Sequence, residues 1–511
     1  MRQFFRSPLI VHLSTLLLLS VLTAATRADL DKDIHAILRD RLLEKASVGI
    51  EIVQLGETAA QDRVLFRHRG DAPHIPASNL KIITTSAALD TLGPDFRFQT
   101  LLVQKGEDLV LVGDGDPTFG DAELLKKVGW DTTTVYQNWA QQLRKAELLA
   151  FRHLLIDDSV FDETFVHPNW PPDQEQARYV AQVAGMSLNL NCIDFFVRGS
   201  GSGALATYRL NPPTRYAPVT NSVVAGGDNA VWINRHRGSN DITLRGTCPS
   251  SGEVAASVTI HDPAMFAATV LAETLRSNNV HVEGKIARDR TVRASLKTGF
   301  GGERQPEPRT LNPEPSSRYR ILAVHETPIS QVLARANKDS INLYAESLCK
   351  RLGFAAGGAT GGPGSWPTGA AAIGAFLRKT GASESQFRID DGSGLSRENA
   401  VSPDAVTSVL RFNHHGPNRE AFLASLAVGG IDGTLDERFR SADLKGRVFG
   451  KSGYIVGVSA LSGYIKARDG NWYTFCILMN NLARGTNGRA KFLQDQIVKA
   501  IDANSVSKRK E

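Results

Sequence analysis

The sequence predicts an α/β protein in which an antiparallel sheet flanked by helices is interrupted by a long β-rich insertion. The first part of the chain alternates strand-like and helical segments, and the last part returns to helices followed by strands. Between them, residues from about 98 to 315 form short apolar runs separated by turns. A chain of 511 residues is too long for one ordinary domain. Its 42% apolar and 22% charged residues are typical of a globular protein with a sizeable core.

The first 28 residues have the pattern of an export signal. Arg2 and Arg6 precede a mostly apolar run, Leu9 to Ala25, and small residues follow that suit cleavage. The alternative is a retained membrane anchor, but polar residues interrupt the run and leave it short for a spanning helix. We therefore expect a protein exported to the periplasm or cell envelope, with at most loose membrane association.

The net charge argues against nucleic acid as a partner. Three of the charges behind the formal +6 lie in the signal-like segment, so the remainder carries about +3 without a basic run. A charge this mild favours at most the approach to an anionic wall polymer.

The α/β part begins with strand-like segments at 48–54 and 64–67. A helix follows from about Ser78 to Leu92, where Gly93 and Pro94 end it. Within the insertion, one clear helix is predicted from Pro263 to Ser277. The predicted organisation is a signal peptide (1–28), the first part of the α/β domain (29–97), an inserted region of one or two β-rich domains (98–317, "the insertion"), the second part of the α/β domain (318–505) and a tail (506–511).

The second part of the α/β domain follows a segment rich in Pro, Glu, Arg and Ser (303–317) that has the composition of a linker. Apolar periodicity and chain punctuation predict three helices, three strands and a closing helix after it. These are helices at 329–351, 370–379 and 403–413, strands at 448–456, 460–466 and 472–479, and a helix at 490–502.

Four cysteines are present, and an oxidising compartment permits disulfide bonds. Cys192 and Cys248 both lie in loop-like surroundings of the insertion, so we predict a disulfide between them. Cys349 lies on a predicted helix and Cys476 in an apolar strand, where each fits equally well as a buried thiol.

The chemistry-bearing pattern is Ser78-x-x-Lys81 at the start of the first helix. Residues three apart on a helix share a face, so the two side chains can form a hydrogen bond. In acyl transfer without histidine, a lysine at this spacing can act as the base if burial lowers its pKa. The helix N-terminus beside Ser78 also favours a developing oxyanion.

Short patterns of this kind recur along the chain, so their context must decide between them. Further examples are the Ser-x-x-Lys pairs Ser347/Lys350 and Ser505/Lys508, the Ser-x-Asn pair Ser187/Asn189, and the Lys-Ser/Thr-Gly triplets Lys297–Gly299, Lys379–Gly381 and Lys451–Gly453. Lys379 ends a predicted helix, where lysine and glycine are common, and Lys297 lies in a turn-rich stretch. Lys451 opens a predicted strand, which favours it as the functional lysine.

Taken in order, these phrases resemble those of the DacB-type penicillin-binding proteins, the D-Ala-D-Ala carboxypeptidases and endopeptidases of the S13 class. The family order is the nucleophile motif, a long insertion, Ser-x-Asn and Lys-Thr/Ser-Gly. Here it reads Ser78 to Lys81, a gap of 259 positions, Ser340-Ile341-Asn342, and Lys451-Ser452-Gly453. Further phrases that look like the family's are Val112–Pro117, Asp390–Arg397, Gly430–Leu435 and Gly457–Tyr464.

The resemblance implies a penicillin-binding/β-lactamase-like transpeptidase fold and a role for each matching residue. Ser78 would be the nucleophile and Lys81 its base, while Ser340 would relay a proton and Asn342 would hold the substrate. Lys451 with Ser452 and Gly453 would anchor the substrate's carboxylate, and Tyr454 would supply an oxyanion-hole N–H. The implied substrates are peptidoglycan stem peptides, with β-lactams as covalent inhibitors and no metal or organic cofactor. Two alternatives remain: a β-lactamase or esterase on this scaffold, and a non-catalytic wall-binding protein.

Overall fold

The computed structural model describes residues 29–296, 319–357 and 361–505. The predicted signal peptide, the 303–317 linker, the tail from 506 onward and Lys297 lie outside the described residues. Within them, no helix is long and apolar enough to cross a membrane.

The helices, in chain order, are α1 (29–38), α2 (Leu80–Leu92), α3 (Ala122–Lys126), α4 (Thr134–Lys145), α5 (Pro263–Ser277), α6 (Val292–Ser295), α7 (Ile329–Asn337), α8 (Asn342–Gly357), α9 (Trp366–Lys379), α10 (Pro403–His415), α11 (Arg419–Ser425) and α12 (Asn487–Ser505).

The strands are β1 (Ser47–Gln54), β2 (Arg63–His68), β3 (Arg97–Lys105), β4 (Asp108–Val112), β5 (Ala150–Phe151), β6 (Leu154–Asp157), β7 (Cys192–Arg198), β8 (Thr207–Asn211), β9 (Val219–Asn221), β10 (Val224–Ala225), β11 (Ala230–Arg235), β12 (Ile242–Cys248), β13 (Glu253–Thr259), β14 (His281–Val282), β15 (Ile286–Arg288), β16 (Tyr319–Pro328), β17 (Phe387–Arg388), β18 (Ala400–Val401), β19 (Ala427–Val428), β20 (Val448–Ile455), β21 (Val458–Lys466) and β22 (Trp472–Asn480).

A six-stranded antiparallel sheet forms the centre of the α/β domain, in the order β19-β20-β21-β22-β1-β2. The first part of the chain thus contributes β1 and β2, which pair with the last strands of the second part. The prediction of an antiparallel sheet flanked by helices is confirmed.

The central strands are apolar throughout because both faces of the sheet are covered. Along β22, Phe475, Ile477 and Met479 belong to one core, which they share with α1 and α12. The intervening Cys476 and Leu478 belong to the other core, which contains α2 and α7–α11. Alternation with a period of two therefore sends successive side chains into separate helical layers.

The insertion is built around a five-stranded sheet in the order β15-β6-β4-β3-β16. Helices α4 and α5 belong to the core that includes this sheet's side chains. Two smaller sheets, β13-β7-β8 and β10-β12-β11 with β9, and the two-stranded pair β5-β14 make up the rest of its described β structure. The β-rich insertion is confirmed. Helix α4 was not predicted. Its exposed residues are strongly polar, so the mean hydropathy of the segment is low, although its buried residues recur at helical spacing along one face.

The chain enters and leaves this five-stranded sheet through neighbouring strands. β3 and β16 pair antiparallel from Arg97↔Pro328 to Lys105↔Tyr319. The backbone N–H of Ile329 donates to the carbonyl of Phe96 at 2.9 Å, so the two crossing points are joined. The exact domain boundaries at 97/98 and 317/318 stay a prediction.

The helix predicted over 329–351 is two helices, α7 and α8. The chain breaks between them at Ser340, which has a left-handed φ of 61°. Arg335 links the end of α7 to Asp339 in the break and to Asp121 of the insertion. These tertiary contacts override a helical periodicity that continues through the break.

The predicted disulfide between Cys192 and Cys248 is wrong. Both thiols are free and buried, as are those of Cys349 and Cys476. Cys192 opens β7, whereas Gly199, just beyond the other end of β7, lies against Pro249, the neighbour of Cys248. At about 3.3 Å per residue, the two cysteines are roughly 20 Å apart, well beyond the ~7 Å that a disulfide spans between Cα atoms.

Candidate active site

Ser78 lies in a single 3₁₀ turn, Ala77–Asn79, that leads directly into α2. Its side chain is half-buried between the buried Ala77 and Asn79. Ala77 has a left-handed φ of 47°, an uncommon conformation for alanine. A strained residue directly before Ser78 is typical of functional sites.

Two glycines let neighbouring segments lie against this turn. A Cβ on Gly394 would come within 1.9 Å of the carbonyl oxygen of Ala77. A Cβ on Gly453 would lie 2.9 Å from both the Pro76 carbonyl oxygen and Nδ2 of Asn79. The glycine of the Lys-Ser-Gly triplet therefore permits the close contact of β20 with the turn that carries Ser78.

Lys81 is fully buried on the first turn of α2 and has three hydrogen-bond partners. Its Nζ lies 2.9 Å from Oγ of Ser78, 2.8 Å from Oδ1 of Asn342 and 3.0 Å from the carbonyl oxygen of Ser393. The structure thus brings Ser78, Lys81 and Asn342 together, as the i, i+3 spacing and the Ser-x-Asn phrase predicted.

The break between α7 and α8 places Ser340 and Asn342 in the cleft. Lys451 of β20, which is also fully buried, donates from Nζ to Oγ of Ser340 at 2.8 Å and to the carbonyl of Ser452 at 2.7 Å. Asn342 is the first residue of α8. The segment 340–342 therefore contacts both lysines: Ser340 accepts from Lys451, and Asn342 accepts from Lys81.

The remaining predicted residues follow Lys451 on β20. Ser452 is half-buried and Gly453 is buried, whereas Tyr454 has 52% of its surface exposed. In the sheet, Lys451, Ser452 and Gly453 pair with residues of β21. β19 pairs with β20 only as far as Gly450, so within the described residues β20 has no partner strand on that side from Lys451 onward.

Both lysines have lowered pKa values. Burial lowers the pKa of Lys81 from 10.5 to about 8, and the negative charges of Glu346 and Asp391 oppose this shift. Burial lowers the pKa of Lys451 well below its usual value, and the positive charge of Lys81 lowers it further. Lys81 can therefore lose its proton close to neutral pH, as a base must.

The insertion contributes directly to this cleft. Nδ2 of Asn342 donates to the backbone carbonyl of Tyr179 at 2.8 Å. Behind Lys81, Nε1 of the buried Trp170 donates to the buried carboxylate of Asp391 at 2.9 Å. Residues of the insertion thus fix two groups of the site, a role that the sequence did not indicate.

Two acidic residues behind Lys81 were missed by sequence analysis. Glu346 and Asp391 are fully buried and hold the loop from which Ser393 reaches Lys81. The Asp390–Arg397 phrase contained one of them, although it also suited an ordinary turn. Glu346 lies four positions after Asn342, on the same face of α8, and this spacing is the one signal that pointed to it.

The competing motifs lie elsewhere. Lys350 is buried beside Ser347, but its Nζ is bound by Asp162 and the carbonyl of Thr164, both at 2.6 Å. Lys379 is half-exposed and forms an ion pair with Asp90. Neither lysine contacts Ser78, Ser340 or Asn342 among the hydrogen bonds of the described residues.

Comparison with known proteins gives one family. The model of the D-Ala-D-Ala carboxypeptidase 3 (S13) family matches residues 30–298 and 308–503. A D-alanyl-D-alanine carboxypeptidase of Actinomadura sp. (strain R39) is 31% identical over 483 residues, which cover 90% of this chain and 82% of that protein. The D-alanyl-D-alanine carboxypeptidase DacB of Haemophilus influenzae is 22% identical over 462 residues, covering 87% of this chain and 88% of that one.

A solved structure shares the fold. Penicillin binding protein 4 (dacB) from Haemophilus influenzae superposes with a TM-score of 0.72 at 21% identity, covering 92% of this chain and 99% of that one. The predicted transpeptidase-type fold with its insertion is therefore confirmed.

Proposed function

Since this chain belongs to the D-Ala-D-Ala carboxypeptidase 3 (S13) family, we propose that it is a serine D-Ala-D-Ala carboxypeptidase that acts through an acyl-enzyme on Ser78. The observation that carries the assignment of Ser78 is its 2.9 Å contact with a lysine that is fully buried and has a pKa of about 8. A serine hydroxyl beside such an amine is the arrangement of a nucleophile with its general base.

The partners of Lys81 orient its lone pair. The Asn342 amide oxygen and the Ser393 carbonyl can only accept, so each takes one N–H of the neutral amine. The lone pair is left to face the Ser78 hydroxyl, whose proton it takes. Ser78 Oγ then attacks the carbonyl carbon of the penultimate D-Ala, and the bond to the terminal D-Ala nitrogen breaks.

Ser340 and Lys451 complete the reaction on the other side of the cleft. Ser340 passes the proton held by Lys81 to the leaving amine, while Lys451 donates to Ser340. The terminal carboxylate of the substrate binds Lys451 and Ser452, where a cation and a hydroxyl form charge-assisted hydrogen bonds. The N–H groups of Ser78 and Tyr454 stabilise the oxyanion. Water then attacks the ester while Lys81 takes the proton that water loses. As the ester bond breaks, Lys81 returns this proton to Oγ of Ser78.

The proposed substrates are peptidoglycan stem peptides, and β-lactams are proposed as covalent inhibitors because their strained amide mimics the D-Ala-D-Ala bond. Both carboxypeptidase and endopeptidase cleavage break a bond made by a D-Ala carbonyl, so the same groups serve either reaction. The leader-like pattern of the first 28 residues supports export to the periplasm or envelope.

Digestion of purified muropeptides tests this function. Release of free D-Ala from pentapeptides, or of monomers from cross-linked dimers, is expected, and a fluorescent penicillin should label Ser78. Rapid release of the penicillin label as hydrolysed antibiotic, without muropeptide cleavage, would instead identify a β-lactamase. Wall binding without cleavage or labelling would identify a non-catalytic binding protein.

Lys451→Ala is expected to lower hydrolysis of a D-Ala-D-Ala peptide by about 10²-fold or more, the scale seen when one preorganised electrostatic group is lost. The variant removes the cation proposed to bind the carboxylate and leaves Ser340 without its donor. Lys379→Ala and Lys297→Ala, from the other two triplets, should change the rate by less than about twofold. The measurement is kcat/KM for the three variants, with folding checked by thermal melting. A normal rate for Lys451→Ala beside an inactive Lys379→Ala or Lys297→Ala would overturn the assignment of the triplet.

A further inference from the structure

The carbonyl that accepts from Lys81 belongs to a peptide unit held from behind by a buried carboxylate. The peptide bond between Ser393 and Gly394 presents its oxygen to Nζ of Lys81 at 3.0 Å. The N–H of the same unit, on Gly394, donates to Oδ1 of Asp391 at 2.8 Å. Because N–H and C=O point in opposite directions across a trans peptide, Asp391, the peptide dipole and Lys81 form one chain of hydrogen bonds.

Asp391 is held in place by further donors. Its Oδ2 accepts from the N–H of Ser396 at 2.6 Å and from Nε1 of Trp170 at 2.9 Å, and its Oδ1 also accepts from Nδ2 of Asn399 at 2.8 Å. Together with the N–H of Gly394, these are four donors to Asp391 in the described part of the chain, and none of them is a cation. The carboxylate is thus held in place behind the loop by neutral N–H groups.

Glu346 holds the peptide units just before it. Its Oε1 accepts from the N–H of Ser393 at 2.8 Å, and its Oε2 accepts from the N–H of Gly392 at 2.9 Å and from Nε1 of Trp366 at 2.7 Å. Asp391 and Glu346 together therefore fix consecutive N–H groups from Gly392 to Gly394, and with them the direction of the Ser393 carbonyl.

The charges of the site balance across this loop. Lys81 and Lys451 are buried in the cleft, and Glu346 and Asp391 are buried behind it, all with 1% or less of their surface exposed. Each lysine, whenever it is protonated, would carry a large desolvation cost if no anion lay nearby. The carboxylates reduce it without touching either lysine, so Nζ of Lys81 stays free to face Ser78.

We propose that Asp391 and Glu346 are positioning residues that aim the Ser393 carbonyl at Lys81 and set the pH at which Lys81 becomes a competent base. This inference rests on the proposed function, in which neutral Lys81 deprotonates Ser78. It extends the site from the groups that touch substrate to a second layer built on α8 and the 391–396 loop.

The charged and titratable groups around this layer all enter the expected pH response. Glu346 faces Asp391 across the loop and Lys81 of α2, with Cys349 and Lys350 on its own helix. Burial and then the charge of Asp391 raise the pKa of Glu346 to about 7. Lys81 faces Glu346 and Asp391, and it in turn lowers the pKa of Lys451.

The test is the pH dependence of the second-order rate constant for penicillin acylation in Asp391→Asn and Glu346→Gln. Removing a negative charge lowers the pKa of Lys81, so the acidic limb, expected near pH 8 in the wild type, should move down by about one pH unit. Loosening the Ser393 carbonyl should also lower the plateau rate about tenfold. An unshifted limb in both variants, with plateau rates within twofold of the wild type, would overturn the proposal.

Glu51→Gln is the matched control, because Glu51 is a buried carboxyl of the same domain whose partners in the described structure are Thr407 of α10 and Arg67 of β2 rather than the 391–396 loop. It should lose stability but keep the wild-type limb. A limb shifted equally in Glu51→Gln would show that any buried charge loss has this effect, which contradicts a positioning role.

A second experiment uses the wild-type protein, so its result does not depend on how the variants fold. With ¹³C at the glutamate carboxyl carbons, the Glu346 signal should show a step near pH 8 as Lys81 titrates, in addition to the step near pH 7 from its own carboxyl. The step near pH 8 should disappear when penicillin acylates the protein. Absence of such a step counts against the proposal. If the wild type is not acylated at Ser78 at all, the proposed function itself fails; acylation with unshifted limbs rejects only the positioning role.

Discussion

Ser78→Ala is expected to abolish covalent labelling by fluorescent penicillin and to lower D-Ala release by at least about 10⁴-fold. The side chain supplies the only atom that can form the acyl-enzyme in the proposed mechanism, and loss of an activated serine commonly costs 10⁴-fold to 10⁶-fold in turnover. Removal of one half-buried hydroxyl leaves Lys81 with its contacts to Asn342 and Ser393, so the fold should be kept.

Ser347→Ala is the matched control for Ser78→Ala. Ser347 begins the second Ser-x-x-Lys of the described chain, is fully buried, and its Oγ has no hydrogen-bond partner among the described residues. Its loss should change neither labelling nor turnover by more than about twofold. Mass mapping of the labelled peptide decides between the two serines, and undiminished labelling of Ser78→Ala would refute the assignment of the nucleophile.

Lys81→Met is expected to lower both penicillin acylation and D-Ala release by about 10³-fold, within the 10²-fold to 10⁴-fold range of general base catalysis. Ser78 remains, but nothing else within hydrogen-bond range of its hydroxyl in the described structure can take the proton. The wild-type rate should rise with pH to a midpoint of about 8, because only the deprotonated amine is a base. The residual rate of Lys81→Met should lack that limb.

Lys81→Arg separates a base from a cation at this position. Arginine keeps a positive charge and hydrogen-bond donors but does not lose its proton in this pH range. We expect it to be as inactive as Lys81→Met, with thermal melting used to verify folding. If Lys81→Arg kept more than about a tenth of the wild-type rate, the lysine would serve as an electrostatic group and another base would be needed.

The candidate catalytic set was largely predictable because its signals are local or ordered along the chain. Ser78 and Lys81 are three residues apart, and strand context selected Lys451 from three similar triplets. The contacts behind them depend on distant pairings that leave no local pattern. Glu346 reaches Ser393 across 47 positions, and Trp170 reaches Asp391 across 221.

The errors have the same origin. The left-handed backbone at Ser340 interrupts a helical periodicity because of contacts with Lys451 and the insertion. Cys192 and Cys248 both have loop-like sequence surroundings in the insertion, but Cys192 opens β7 whereas Cys248, at the end of β12, lies beside the far end of β7. Strand register is set by the whole sheet, so a loop-like neighbourhood could not reveal it.

The chain enters and leaves the insertion at adjacent positions, Phe96 and Ile329, and this adjacency affects the order of folding. Residues Ser47 and Asn480 pair in the central sheet although 433 positions separate them, a contact of very high sequence separation. Once β3 and β16 have paired, residues 96 and 329 are adjacent, and the chain that must still close is about half as long.

Halving a loop lowers its closure entropy cost by only about 0.6 kcal/mol, so chain length is not the main gain. The larger effect is on the relative orientation of the two halves of the α/β domain. A folded insertion fixes the end of α2 beside the start of α7, so the two halves of the domain meet already aligned. We therefore expect the β3–β16 pair to form before the β1–β22 pair, and refolding to slow most when β3 or β16 is weakened.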